Sequence, residues 1–425
     1  MNFFSKTFSH KGEKNEHLMV LDIGTEVVKV LVFRVNKKKN EIIIEGVGRE
    51  RHKNQNMSGS IILDEKGVVS VCKKAMDRAV KMANRIPQKV IVGAAGNLAE
   101  IKTETVYYER KDPSRKMDLS EFTGIMRDSQ EEAFGRTKKK LIQKSTTNEI
   151  ELMDVNVVDF CIDGYRITNP IGFKGQKIKI IISNFCVSTD YLNAIREIVG
   201  RLGLGLMKLA CESQAVSKII DMQNSSSLGE ILIDIGGNAT NITFVHDKNI
   251  ENTKTFSIGG KSFTDAMSRN LDLSFYQAED LKIKYSQNKI ENDANGNVEK
   301  ILRSCFETWL LGMELSLKEF SSNELLPSQI LVYGGSSQFP QLSGILNDFF
   351  LTTNLPFAKK PEIIFVGKNY LNNITDETKS LIVCQDLVSV GLSELILDFD
   401  NKKDPEKDIF EKMIGKQSAF YQKRL

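Results

Sequence analysis

Leu18–Val35 reads LMVLDIGTEVVKVLVFRV, and Gly229–Val245 reads GEILIDIGGNATNITFV. Each is an apolar run ending in Asp-Ile-Gly, then a tight turn and a second apolar run, which predicts two β-hairpins on one plan. Glycine in such turns lets backbone N–H groups approach an anion with no Cβ between them. Asp22 and Asp234 are placed to hold Mg²⁺ through its waters. Either segment alone is equally a hairpin whose Asp and Gly serve turn chemistry. Their duplication points to a phosphate clamp, with ATP bound between two related halves.

A third element, Ile330–Gln338 (ILVYGGSSQ), is a short strand run followed by Gly334-Gly335 and a helical stretch from Pro340 to Phe350. A double glycine after a strand lets a flat base or ribose lie against the backbone, and the next helix N-terminus favours negative charge. Placed after the two hairpins, it is similar to the adenosine motif of the actin-like ATPases.

The resemblance narrows further along the chain. Asp163-Gly164-Tyr165 is followed by NPIGFKG from Asn169 to Gly175, and Ser257-Ile258-Gly259-Gly260 by AEDLKIKY from Ala278 to Tyr285. With Gly46-Val47-Gly48-Arg49, the VGAAG run from Val92 to Gly96, and Val390-Gly391-Leu392, these motifs resemble FtsA, the actin-like bacterial cell-division family, from Leu18 to Leu397. The resemblance implies an α/β, actin-like two-domain fold of duplicated ribonuclease H-like halves with an FtsA-type inserted subdomain. It implies that Asp22, Gly24, Thr25 and Glu26 form the first phosphate motif, and Asp234, Gly236, Gly237 and Asn238 the second. Gly334, Gly335 and Ser336 would form the adenosine motif. Glu279 and Lys282, at i and i+3 on a helix face, would lie near the ribose, though an ordinary surface ion pair accounts for them as well. Gln214, in the stretch expected to connect the halves, is a candidate for positioning a water.

The expected division of the chain combines sequence breaks with the family pattern. After an N-terminal stretch 1–17, the first half occupies 18–99 and 186–205, and the inserted, self-associating subdomain 100–185. The second half takes 206–255 and 326–380 around a smaller subdomain at 256–325. The chain then returns to the first half at 381–397. Helical periodicity appears at Val68–Met82, Tyr191–Leu204, Glu212–Met222 and Cys305–Phe320. Strand runs appear at Ile42–Ile44, Lys89–Val92 and Ile178–Ile182, and Gln287–Asn297 reads as an exposed loop. Strands mixed with helices of this length mean a layered α/β architecture.

Composition narrows the function classes. The 425 residues are 41% hydrophobic and 27% charged, ordinary for a globular protein of two to three domains. No apolar run approaches the roughly 18 residues needed to span a bilayer, and the N-terminal stretch with Phe3, Phe4 and Phe8 lacks a signal-peptide h-region. Six cysteines without CxxC spacing read as small buried side chains in a reducing compartment. A net charge of +3, with no aromatic-interleaved basic stretch, argues against nucleic acid. The Arg136–Lys140 run reads as a solvated helix face or loop.

Two departures from the family bear on chemistry. The second hairpin ordinarily reads Gly-Gly-Gly-Thr-Thr-Asp, whereas here Gly237 is followed by Asn238-Ala239-Thr240-Asn241, so one glycine gains a side chain and one carboxylate becomes an amide. Asn tolerates the left-handed region, so the turn survives. Binding of ATP is therefore the expectation, and hydrolysis is not. No Walker-type, Gly-x-Ser-x-Gly or His-Glu-x-x-His sequence offers another catalytic set.

After a polar linker at 398–407, residues 408–425 carry Ile409, Phe410, Met413, Ile414, Phe420, Tyr421 and Leu425 beside Lys412, Lys416, Lys423 and Arg424. That is the composition of an interfacial helix on anionic lipid; a terminal helix packed on protein is the alternative. By resemblance this helix would anchor the protein at the cytoplasmic face of the membrane, with the N-terminal Phe3-Phe4-Phe8 cluster as a competing anchor. The chain would also form filaments, bind the C-terminal peptide of FtsZ at the smaller subdomain and meet other division proteins. Alternatives are a PilM-like pilus assembly protein, a sugar kinase of the same superfamily, for which no sugar-cleft carboxylate is evident, and a DnaK-type chaperone. The last would need a long β-rich segment for which too little sequence follows the second half.

Overall fold

The computed structural model describes residues 16–53, 56–59, 61–94, 99–144, 149–220, 229–246, 249–289, 292–321 and 325–400. The chain opens with β1 (His17–Ile23), β2 (Val27–Asn36) and β3 (Glu41–Arg51), then a small hairpin of β4 (Met57–Ser58) and β5 (Ile61–Ile62). Helix α1 (Glu65–Ala83) leads to β6 (Lys89–Ala94) and β7 (Ala99–Glu109), then α2 (Leu119–Lys144), β8 (Ile150–Ile162), β9 (Tyr165–Arg166) and β10 (Lys177–Ser188). Next come α3 (Thr189–Arg201), β11 (Gly205–Cys211), α4 (Glu212–Ile220) and the second three-strand run, β12 (Glu230–Ile235), β13 (Thr240–His246) and β14 (Asn249–Phe256). Helices α5 (Gly260–Leu271), α6 (Phe275–Ser286) and α7 (Asn292–Phe320) follow. The remainder is β15 (Gln329–Tyr333), α8 (Leu342–Thr352), β16 (Glu362–Phe365), β17 (Ile374–Asp376) and α9 (Val383–Asp400).

The halves repeat one topology. In the first sheet β3-β2-β1-β6-β11 lie side by side, with β17 added beyond β3; in the second, β14-β13-β12-β15-β16 take the same order. In both, three antiparallel strands are followed by two parallel ones. This is the duplicated actin-like α/β architecture expected from the sequence. The chain between β6 and α3 forms a separate four-stranded sheet, β7-β10-β8-β9, covered by α2. Its own apolar core includes Phe122, Phe160, Ile178 and Ile180.

Strand identity follows composition. The apolar runs of β1 and β12, and Val30–Phe33 of β2, are buried, as strands covered on both faces must be. Close helix approach explains two of the glycine motifs. A Cβ on Gly48 would collide with the Ala75 carbonyl of α1, and one on Gly391 of α9 would lie 2.5 Å from the Ala215 carbonyl of α4. The glycines therefore let α1 lie flat on β3 and let α4 and α9 cross in contact.

The expected helices are present with shifted ends. Ser188 caps α3, its Oγ accepting from Tyr191 N at 3.2 Å, so that helix begins earlier than periodicity predicts and ends before Leu204. Part of the expected Gln287–Asn297 loop is helical, because α7 begins at Asn292. Val298, Leu302, Phe306, Trp309, Met313 and Leu317 are buried at helical spacing, and the packed stripe carries the helix back into the polar stretch. Helix α9 likewise continues to Asp400, into the expected linker. The basic run from Arg136 to Lys140 lies on α2. The phenylalanines of the N-terminal stretch and the expected terminal helix at 408–425 lie outside the described residues.

Candidate functional site

The hairpin register places the two carboxylates. Asp22 pairs with Lys29 across β1 and β2, and Asp234 pairs with Asn241 across β12 and β13. Side chains directly opposite on one face of an antiparallel pair meet. Accordingly Lys29 Nζ lies 3.0 Å from Asp22 Oδ2, and the same oxygen accepts from Ser389 Oγ of α9 at 3.0 Å. Asn241 Oδ1 accepts from Thr255 Oγ1 at 2.7 Å, which turns its NH₂ towards Asp234.

The turns meet at their tips. In the first, a Cβ on Gly24 would sit 2.7 Å from Val27 O; in the second, a Cβ on Gly237 would strike the Glu26 side chain. Gly236 and Gly237 carbonyls accept from the N–H groups of Gly260 at 2.9 Å and Lys261 at 2.6 Å, so the start of α5 buttresses the second turn. At the third element Gly334 has φ +96° and donates to Cys384 O at 2.8 Å. A side chain there would run into Asp234 Oδ1 and come within 2.6 Å of Ile235 O. A 3-10 turn over Gly335–Gln338 follows, in which Ser336 Oγ donates to Gly236 O at 3.4 Å.

Together these parts line one cleft of about 410 Å³ between the halves, within the size range of small-molecule sites. Asp22, Gly24, Thr25, Glu26, Asp234, Gly236, Gly237, Glu279, Lys282, Gly334, Gly335 and Ser336 all face it. Asn238 and Gln214 do not line it; the Asn238 amide lies beside Gly59. Glu279 and Lys282 are not a free surface pair. Lys282 Nζ lies 2.7 Å from Glu279 Oε2 and donates to Gly260 O at 2.8 Å and Thr264 Oγ1 at 2.7 Å, while Thr264 also bonds Glu279. Arg51 Nη1 reaches Glu279 Oε1 at 2.8 Å from the other half.

Lys29, Arg51, Glu212 and Ser389 join the site without having stood out in the sequence. Lys29 could have been found from the hairpin register alone. Glu212, the first residue of α4, lies two positions from the expected Gln214 and puts a third carboxylate at the cleft floor.

Charge at the floor is unevenly compensated. Burial, together with Asp22 and Asp234, pushes Glu212 well above the usual carboxylate range. Burial also raises Asp234 to about 6, against the pull of Lys29 and the Asn241 hydrogen bond. Burial opposes the charge on Lys29, yet the contact with Asp22 outweighs it and holds this ammonium above its ordinary value. Near the mouth, burial works against ionisation of Glu279, but Lys282 and Arg51 prevail and hold it low. The arrangement gathers carboxylates around one lysine at the floor, and among the described residues no group of three acidic, histidine or cysteine side chains forms a ready-made metal cage, so a cation there would need further ligands from water or a bound anion.

A family model described as cell division protein FtsA matches residues 231–376. The chain is 25% identical over 350 residues to the cell division protein FtsA of Enterococcus faecalis, covering 78% of this chain and 76% of that protein. It is 26% identical over 269 residues to the Bacillus subtilis FtsA, covering 63% and 58%. With the Pseudomonas aeruginosa FtsA it shares 21% identity over 378 residues, covering 82% and 85%. Among solved structures, the PilM-PilN type IV pilus biogenesis complex matches with TM-score 0.65 at 14% identity, covering 89% of this chain and 98% of that one. The ethanolamine utilization protein EutJ from Carboxydothermus hydrogenoformans matches with TM-score 0.50 at 12% identity, covering 90% of each. These structural likenesses concern the fold. In sequence and fold the chain is FtsA-like and actin-like.

Proposed function

We propose that this FtsA-like chain binds Mg²⁺ and ATP in the cleft and acts in bacterial cell division as a nucleotide-gated, self-associating scaffold on the cytoplasmic membrane face, tethering FtsZ. The observation that carries the nucleotide reading is the convergence of both Asp-Ile-Gly turns and the Gly334 turn on one cleft. Glycine is required by close packing at Gly24, Gly237 and Gly334, where a Cβ would meet Val27 O, the Glu26 side chain and Asp234 Oδ1. A divalent ion fits the donor set, because burial works against the charge on Asp234 at the floor and the pull of Lys29 and the Asn241 hydrogen bond offsets only part of that penalty. Asp22 and Asp234 would hold Mg²⁺ through its waters, and the ion would neutralise phosphate charge.

Glu212 replaces Gln214 as the group assigned to a water at the phosphate end. Burial favours its protonated form, and Asn241 adds no carboxylate, so nucleotide retention is favoured over turnover. Equilibrium Mg·ATP binding and phosphate release are measured on one preparation of the wild type and of Gly335→Asp. A Cβ at Gly335 meets open space, so the variant keeps its fold while its carboxylate enters the cleft. Magnesium-dependent binding that the variant loses, with little turnover, supports the reading; no binding by the wild type overturns it.

The partner assignments have surface support. Leu311 and Leu315, one turn apart on α7, are 61% and 65% exposed, an apolar stripe suited to the FtsZ C-terminal peptide. Tyr107 and Tyr165, on the edge strands β7 and β9, are 72% and 75% exposed and suit contact with a second copy. Among the described residues no helix is long and apolar enough to cross a membrane. The anchor is assigned to 408–425 on its composition, in which apolar residues alternate with Lys412, Lys416, Lys423 and Arg424. Removing that segment releases the protein from anionic liposomes without loss of ATP binding, and unchanged liposome binding overturns the assignment.

A further inference from the structure

Ser389 lies within α9 and is 0% exposed. A serine inside a helix commonly returns its hydroxyl to a carbonyl of the preceding turn. Ser393 does so, donating to Val390 O at 2.6 Å. Ser389 instead donates out of its helix to Asp22 Oδ2 at 3.0 Å, and that oxygen also takes the Lys29 ammonium at 3.0 Å. Both donors thus share Oδ2. Oδ1 faces the first turn, 3.8 Å from where a Cβ on Gly24 would be.

The two donors differ in what an incoming anion does to them. Lys29 lines the cleft, so a phosphate there competes with Asp22 for its charge. Ser389 is neutral, buried and fixed by its helix. Three residues before it, Asp386 is gripped by Arg49, whose Nε donates at 2.9 Å; three residues after it, Leu392 packs over Gly93. Helix α9 therefore lies across the floor with Ser389 held against Asp22.

We propose that Ser389 is a positioning residue for Mg²⁺: its hydroxyl keeps Asp22 Oδ2 engaged when phosphate draws Lys29 away, leaving Oδ1 free for a metal-bound water. The assignment rests on the Mg·ATP reading above. It also gives α9, which leads towards the C-terminal segment, a direct bond to the phosphate end of the cleft.

The test uses the full chain and a fluorescent ATP analogue, titrated with Mg²⁺ and separately in EDTA, for the wild type, Ser389→Ala and Ser389→Thr. Loss of a hydrogen bond to a charged group should raise the Mg²⁺ concentration needed for half-maximal binding about tenfold in the alanine variant. Affinity in EDTA stays unchanged, and threonine restores the wild-type Mg²⁺ dependence. An alanine variant with the wild-type Mg²⁺ midpoint overturns the proposal. So does an equal loss with and without Mg²⁺, which is the mark of a merely structural role. If Ser389→Ala does not fold, Ser389→Cys, which keeps the volume and weakens the donor, is read by the same criteria. Absence of nucleotide binding in the wild type defeats the underlying reading and this assignment with it.

Discussion

Arg51 Nη1 donates to Glu279 Oε1 at 2.8 Å across the mouth of the cleft, joining β3 of the first half to α6 of the second. The same guanidinium stands 3.9 Å from Glu26 at the first turn. Both residues line the cleft, and on the proposed nucleotide reading a ribose seated at Glu279 would compete with Arg51 for its carboxylate.

Arg51→Ala should speed nucleotide release. The Arg51 side chain is 38% exposed, so the bridge is worth little, and roughly a two- to fivefold rise in off-rate is expected from the usual energy of such pairs. High salt should reproduce the effect in the wild type and leave the variant unmoved. Stopped-flow chase of a fluorescent nucleotide measures both, and equal salt dependence in the two proteins would exclude the latch.

The buried carboxylate at Asp234 sets a pH dependence. Its folded-state value is raised from 3.8 to about 6, so its contribution to stability is fully present below the unfolded value and lost as pH rises through about 6. The metal-free protein should melt at a higher temperature near pH 5 than near pH 7, and Asp234→Asn should reduce that difference without abolishing it, because burial raises Glu212 and Glu394 as well. Mg·ATP binding near pH 6 should release protons, visible as a buffer-dependent calorimetric enthalpy. A variant with the wild-type pH slope would contradict the assignment.

Asn241→Asp exchanges a donor to Asp234 for a second negative charge directly across the hairpin. In EDTA this should destabilise the protein by about 1–3 kcal/mol. Added Mg²⁺ should restore most of the loss, since a cation held by Asp234 would offset the added negative charge. Thermal melts with and without Mg²⁺ decide it: destabilisation that Mg²⁺ leaves untouched argues against a cation at this end of the cleft.

Leu311→Asp with Leu315→Asp should abolish binding of the FtsZ C-terminal peptide while leaving ATP affinity and melting temperature nearly unchanged. Both side chains are exposed, and neither contributes to the buried core of the second half. Fluorescence anisotropy with a labelled peptide measures the loss; full retention of binding would move the docking site elsewhere.

Much of the fold could be read before any tertiary structure. The Asp-Ile-Gly hairpins, the Gly334-Gly335 turn and the Glu279–Lys282 spacing are local patterns, set by turn geometry and side-chain alternation over a few residues. Helix α2 was illegible for a physical reason. Its buried face includes Ser129, Gln130 and Thr137, so it lacks the apolar stripe that announces a packed helix. Helix α9 was hidden similarly, with Asp386, Ser389 and Ser393 fully buried.

The sequence by itself determined the duplicated hairpins, the α/β alternation and the residues of the turns, because these depend on contacts between near neighbours in the chain. Only the tertiary structure decided which distant groups complete the cleft. Arg51 and Glu279 are separated by 228 positions, and Asp22 and Ser389 by 367. Their pairing depends on how two folded halves close and how α9 crosses the floor. No local periodicity encodes a partner that far away, since only burial and the need to satisfy buried polar groups select it.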